Sequence, residues 1–280
     1  MNASLAAPKI AEVFDRCRAQ GRAAFIPFLM AGDPDAATSE QALVACALSG
    51  ADIIEIGIPF SDPLADGPVI QQATRRALDG GMTFRRTLAL CRRLHVRLGD
   101  TPLVAFTYYN PVFVRGLDRA ANELAAAGFS GIVCADLPLD EAGPLLQVCR
   151  EAGLGVTLLV APTTPAHRAA AIAAHCTDFV YVVSRVGVTG AHTVAGEQLR
   201  ARIAELRELV RKPLAVGFGV ATPDQAAELA ALSDGIVVGS ALIQQMTRHT
   251  HPQEAMGAIG ALCARMAAAC RRKTQVVGHR

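Results

Sequence analysis

Short runs rich in β-branched and other apolar residues alternate with longer Ala/Leu/Arg segments along almost the whole chain. The apolar runs predict eight strands, at residues 25–31, 52–58, 103–108, 131–135, 155–161, 179–184, 214–217 and 235–239. Several are apolar at nearly every position, the pattern of strands buried on both faces of a parallel sheet. Helical periodicity lies between them, at 38–49, 117–127, 141–151, 165–175, 196–210 and 223–232, and an extra N-terminal helix is predicted at 10–20. Four strands are approached through related phrases: GADIIEIG, GFSGIVCAD, CTDFVYVVS and LSDGIVVGS. A strand-plus-helix unit repeated eight times predicts an α/β fold, the (β/α)8 or TIM barrel. A doubly wound open sheet is the competing architecture, but it wants a glycine-rich turn after its first strand. Here that strand runs into Ala31-Gly32-Asp33-Pro34.

No change of composition divides the chain, so residues 1–270 read as one barrel domain and 271–280 as a basic, disordered tail. With 51% hydrophobic and 19% charged residues the chain can bury a large core. The net charge is only +2, with opposite signs interleaved along most of the chain, which argues against a nucleic-acid footprint. Eight cysteines are scattered without a CxxC pair and read as core residues in a reducing compartment. The first residues lack the features of a secretion signal, and no apolar run approaches the ~18 residues of a membrane span. A cytoplasmic protein is expected.

In such a barrel, function sits where strands end at their C-terminal side. The second strand carries Glu55 among isoleucines, on the same side as Ile53 and Gly57 by strand alternation. Turned inward, this carboxyl would sit in an apolar cavity and keep its proton, as a general acid/base requires. Turned outward, it would pair with an arginine on a neighbouring helix. The loop that follows holds Asp62 and Asp66 between prolines, each readable as a turn residue or as a second functional carboxylate. The last three predicted strands end in glycine clusters: Gly187-Val188-Thr189-Gly190, Gly217-Phe218-Gly219 and Gly239-Ser240. Backbone amides at such ends, with a helix N-terminus behind them, predict a phosphate site. The chain has three lysines: Lys9 and Lys273 lie in the terminal segments, and Lys212 approaches a strand from the opposite face, so no Schiff-base lysine is expected at the active face. The histidines form no HxH or HxxxH pair at a strand end, and no metal site is expected.

The run EIGIPFSDPLADGPVIQ, from Glu55 to Gln71, resembles the signature of the tryptophan synthase α subunit family. FIPFLMAGDP, TYYNP, DLP, APTT, SRVGVTG, GFG and VVGSA follow that family's order, so the resemblance spans residues 25–241. It implies a lyase that splits indole-3-glycerol phosphate into indole and glyceraldehyde 3-phosphate by a retro-aldol reaction, with carboxylates in place of a metal or an imine. Glu55 matches the family's acid/base, and Asp66 the carboxylate that binds the indole N–H. Phe25, Tyr181 and Phe218 match the substrate pocket, Gly190, Gly219, Gly239 and Ser240 the phosphate site, and Thr189 a lid residue. The implied partner is a β subunit in an α2β2 heterotetramer, which meets the loop at 59–63 through Phe60, read as exposed. Pyridoxal phosphate is expected only in that partner. Three positions depart from the pattern: Met30 where Thr is usual, His192 where Arg or an acid is expected, and Ala221 where Ser often stands. A different phosphate-binding barrel, or a regulatory subunit without catalysis, would not need the Glu55–Asp66 motif.

Overall fold

The computed structural model describes residues 9–184, 197–217, 219–249 and 251–271. A first helix, α1 (Ile10–Ala19), precedes β1 (Ala24–Met30) and α2 (Ala36–Leu48). The second unit is β2 (Ile54–Gly57) with two helices, α3 (Pro68–Asp79) and α4 (Phe84–Leu98). The third is β3 (Leu103–Thr107) with α5 (Tyr109–Arg115) and α6 (Leu117–Ala126). Then come β4 (Phe129–Cys134), α7 (Gly143–Glu151), the short strands β5 (Gly155–Thr157) and β6 (Leu159–Val160), and α8 (Ala166–His175). The chain continues through β7 (Val180–Val183), α9 (Glu197–Leu209), β8 (Leu214–Gly217) and α10 (Pro223–Ala230). It closes with β9 (Gly235–Val238), α11 (Ser240–Arg248) and α12 (Pro252–Ala269).

The strands pair in the order β5-β4-β3-β2-β1-β9-β8-β7-β6, all in parallel. Only Leu158 separates β5 from β6, so the two ends of that order are one interrupted strand and the sheet closes on itself. At the interruption the Leu158 amide donates to Cys176 Sγ at 3.3 Å. The structure is therefore a (β/α)8 barrel with an N-terminal helix, as the sequence predicts. Helices α3, α5 and α11 are additions to the simple alternation and lie after β2, β3 and β9. All eight cysteines are buried and reduced.

Two of the repeated strand-approach phrases, those with Asp52 and Asp234, make the same contact at the N-terminal end of the barrel. Asp52, just before β2, accepts from Phe25 N at 2.9 Å and is bridged by Arg22 at 2.6 and 2.8 Å. Asp234, just before β9, accepts from Leu214 N at 2.9 Å and pairs with Arg207 at 2.7 Å. Each aspartate thus holds the amide of a neighbouring strand and is itself neutralised by a cation, which makes its burial tolerable. Lys212, far from the C-terminal strand ends, donates to Thr177 O at 2.8 Å. Helix α1 closes this end: Phe14 packs on Phe179 with ring centroids 5.4 Å apart, and its Cε1 lies 3.1 Å from where a Cβ on Gly235 would be. Arg271 bridges Arg22 in an antiparallel contact, and Ala23 N donates to Cys270 O at 3.0 Å. No helix among the described residues is long and apolar enough to cross a membrane.

Candidate functional site

Strand register decides which side chains share the barrel interior. Phe28 pairs with Glu55 and Gly57 with Phe106 in adjacent strands. The Phe28 and Phe106 rings meet edge to face at 5.4 Å, and Phe106 lies 6.5 Å from the Tyr181 ring of β7. Tyr181 sits across the barrel from β2, yet its hydroxyl is held well above its ordinary pKa first by burial and then by the charges of Glu55 and Asp66. All of these groups therefore project into one lumen. Glycines make room in it: a Cβ on Gly217 would lie 2.3 Å from the Tyr181 hydroxyl.

Glu55 takes the inward orientation of the two left open by the sequence. It is 1% exposed, and its Oε2 has no hydrogen-bond partner among the described residues. Burial first, and then the nearby Asp66 carboxylate, raise its pKa from 4.5 to about 8. At neutral pH this group is a carboxylic acid with a proton to give.

Asp66 is 4% exposed and is fixed from three sides. Its own amide donates to Pro63 O at 3.1 Å, its carbonyl accepts from Gln71 Nε2 at 2.9 Å, and the preceding Ala65 amide donates to the Tyr108 hydroxyl at 3.0 Å. Gly67 and Pro68 then begin α3, with Pro68 at a first helical position where no amide is needed. Burial lifts the Asp66 carboxyl from 3.8 to about 6, and a hydrogen bond from Tyr108 opposes that rise. The two carboxyls therefore separate in function near neutrality: Glu55 is protonated and Asp66 is ionised. Asp62 lies on the exposed part of the loop and accepts from Ser61 Oγ at 2.5 Å.

Gly239 follows β9 and is the N-cap of α11, whose first residue is Ser240; no side chain caps that helix. The site of a Gly239 Cβ would lie 3.0 Å from Phe28 Cδ1, so the free helix N-terminus opens beside the aromatic wall of the lumen. Gly219 has φ +95, a backbone conformation open to glycine and strained for other residues. These positions can present amides to an anion.

Phe25 does not join the site. It is fully buried, but alternation from Phe28 turns it to the outer, helix-facing side of β1, near the Asp52 clamp. On that strand Phe28 and Met30 face the lumen. Tyr108, Phe28 and Phe106 were not singled out by sequence reasoning; counting parity from Glu55 through the parallel register identifies the two phenylalanines. Phe60 is not fully exposed either: it is half-buried with its ring 5.6 Å from that of Tyr108. Thr189, Gly190, His192 and Phe218 lie outside the described residues, as does the segment 187–190 that contains the first two. Among the described residues no group of three or more His, Cys, Asp or Glu is arranged to hold a metal ion.

Comparison with known proteins places this geometry in a family. A family model described as tryptophan synthase alpha chain matches residues 14–271. The chain is 45% identical over 255 residues to the tryptophan synthase alpha chain of Picosynechococcus, covering 91% of this chain and 96% of that one. The alpha chain of Gloeobacter violaceus is 46% identical over 262 residues, covering 93% and 94% respectively. Among solved structures, Mycobacterium tuberculosis tryptophan synthase superposes with a TM-score of 0.87 at 40% identity, over 95% of this chain and all of that one. The tryptophan synthase subunit alpha of Legionella pneumophila superposes with a TM-score of 0.86 at 33% identity, over 93% and 97%. A barrel that encloses Glu55 and Asp66 and is matched over nearly its whole length in this way belongs to the tryptophan synthase alpha chain family.

Proposed function

We propose that the chain cleaves indole-3-glycerol phosphate to indole and glyceraldehyde 3-phosphate, a lyase reaction in tryptophan biosynthesis. The observation that carries this reading is the pair of unlike carboxyls in one lumen, an acid at Glu55 and a carboxylate at Asp66. The substrate's own indole ring serves as the electron sink. Glu55 delivers its proton to indole C3, leaving a positive charge spread toward the ring nitrogen. Asp66 accepts the ring N–H and stabilises that charge, which a dry cavity strengthens. Glu55, now a carboxylate, takes the proton of the adjacent glycerol hydroxyl. The C–C bond breaks, its electrons restore the aromatic ring, and the carbonyl of glyceraldehyde 3-phosphate forms. Glu55 ends as it began, protonated.

Phe28, Phe106, Tyr181 and Phe218 supply apolar walls for the ring. Gly190, Gly219, Gly239 and Ser240, with the α11 N-terminus, hold the phosphate, and Thr189 belongs to a lid that closes over it. The partner in this reading is a β subunit carrying pyridoxal phosphate in an α2β2 assembly, and the setting is cytoplasmic. Apolar side chains around the same barrel end support a partner there: Leu64 is 88% exposed, and Phe113 and Val114 on α5 are 61% and 76% exposed. The test is to incubate the purified chain with indole-3-glycerol phosphate and follow indole and triose phosphate together. Equal release of both supports the reading, and release of neither, with or without the β subunit, defeats it.

A further inference from the structure

One side chain in the lumen has no part in the proton transfers and yet lies between the strand that carries Glu55 and the helix that follows the Asp66 loop. Met30, the last residue of β1, faces inward with Phe28 and is 3% exposed. Its register partner on β2 is Gly57, one inward step beyond Glu55. A Cβ on Gly57 would lie 2.8 Å from Met30 Cε and 2.9 Å from its Sδ, so the thioether fills the space that a side chain at 57 would take. Phe28 Cζ presses on the same point at 2.8 Å. On its other side Met30 reaches α3, where the Thr74 hydroxyl lies 3.9 Å from Sδ. Met30 therefore spans the gap between the strand that carries Glu55 and the helix that follows the Asp66 loop.

We propose that Met30 is a specificity-determining residue: its thioether closes the β1–β2 wall of the ring cavity and excludes substrates that carry a substituent on that edge of the ring. This rests on the reading that the cavity receives an indole ring. Methionine is unbranched and adapts to irregular gaps, but here its methyl and sulfur sit over Gly57 beside the Phe28 ring, with the Thr74 hydroxyl against the sulfur. A substituent aimed at this wall would have to expel that methyl from a packed site. A shorter residue would leave the edge open, because glycine at 57 contributes nothing behind it. One methylene in an apolar pocket changes discrimination by ~10–200-fold, which sets the size of effect to look for.

The experiment compares kcat/KM for indole-3-glycerol phosphate with kcat/KM for a series carrying one methyl at each benzo-ring carbon. It uses the full chain, Met30→Ala, Met30→Val and Met30→Leu. Met30→Ala should raise the relative kcat/KM of at least one methylated substrate by ~10-fold or more. Met30→Leu conserves volume and should leave the ratios close to those of the parent chain. Should Met30→Ala fail to fold, Met30→Val shortens the same side chain and reads the same ratio. Unchanged ratios in the shortened variants, or an equal relaxation in Met30→Leu, overturn the proposal. Binding of indole against the methylindoles, by calorimetry, gives the same ratio without turnover. A parent chain that releases no indole but whose ring discrimination still shifts on shortening would sink the lyase reading alone.

Discussion

Replacing Glu55 with glutamine should change the pH dependence of stability as well as abolish cleavage. In the fold this carboxyl titrates at about 8 instead of 4.5, because it is buried and faces Asp66. Between those two values the folded chain holds a proton that the unfolded chain has released. Stability from this group is thus fully present below about pH 4.5 and is lost as pH rises toward about 8, the reverse of a salt-bridged carboxylate. Each pH unit in that window corresponds to about 1.36 kcal/mol, so the span from about pH 5.5 to about pH 7.5 should cost close to ~2.7 kcal/mol. Glutamine copies the shape of the neutral acid and does not titrate. Urea unfolding of both proteins, followed from about pH 5 to about pH 9, isolates the effect as the difference between two curves. The parent should lose roughly 2–3 kcal/mol relative to Glu55→Gln between about pH 5.5 and about pH 7.5, and almost nothing more beyond about pH 8.5. Parallel curves would refute the argument, because they would mean that the folded chain takes up no proton at Glu55. In the same variant, cleavage should fall by ~10²–10⁴ while binding of glycerol phosphate stays within a few-fold.

Three further outcomes follow from the geometry. The kcat/KM profile should be bell-shaped, rising as Asp66 ionises near 6 and falling as Glu55 ionises near 8; Tyr108→Phe removes a hydrogen bond that lowers the Asp66 pKa and should move only the acid limb to higher pH. Gly219→Val places a branched residue at φ +95 beside the predicted phosphate and should weaken glycerol phosphate binding far more than indole binding; calorimetry with each ligand decides, and equal losses would indicate general misfolding. Asp33 is fully buried and paired through two bonds, at 2.6 and 3.0 Å, with Arg76 of α3, so Arg76→Ala should cost roughly 3–5 kcal/mol in urea unfolding by leaving that carboxylate alone, and a loss under about 1 kcal/mol would contradict it.

Much of this molecule can be read from its residues because the relevant periodicities are local. Apolar runs locate every barrel strand, with limits within a few residues, and the Asp66 loop is visible as acids set between prolines. What escapes is whatever depends on which way a strand faces. Phe25 and Phe28 are equally apolar neighbours on one run, and only the pairing of Phe28 with Glu55 assigns the second to the lumen. Tyr108 is missed for a similar reason: it contacts Ala65, 43 residues away, through a turn that no local pattern announces. The interruption of the fifth strand at Leu158 is likewise a matter of closure, since its amide finds a cysteine sulfur on a distant loop. The helices α3, α5 and α11 break a regular count because they serve the active end of the barrel rather than its repeat.

The contact between Arg22 and Arg271 brings the start of the first strand beside the end of the last helix, at the barrel end opposite the carboxyls. The first strand and the last helix are thus held to each other by non-covalent contacts, so the barrel's first and last units meet without being consecutive in the chain. The order in which the units are synthesised is then separable from the order in which they close, and the chemistry depends on the second alone.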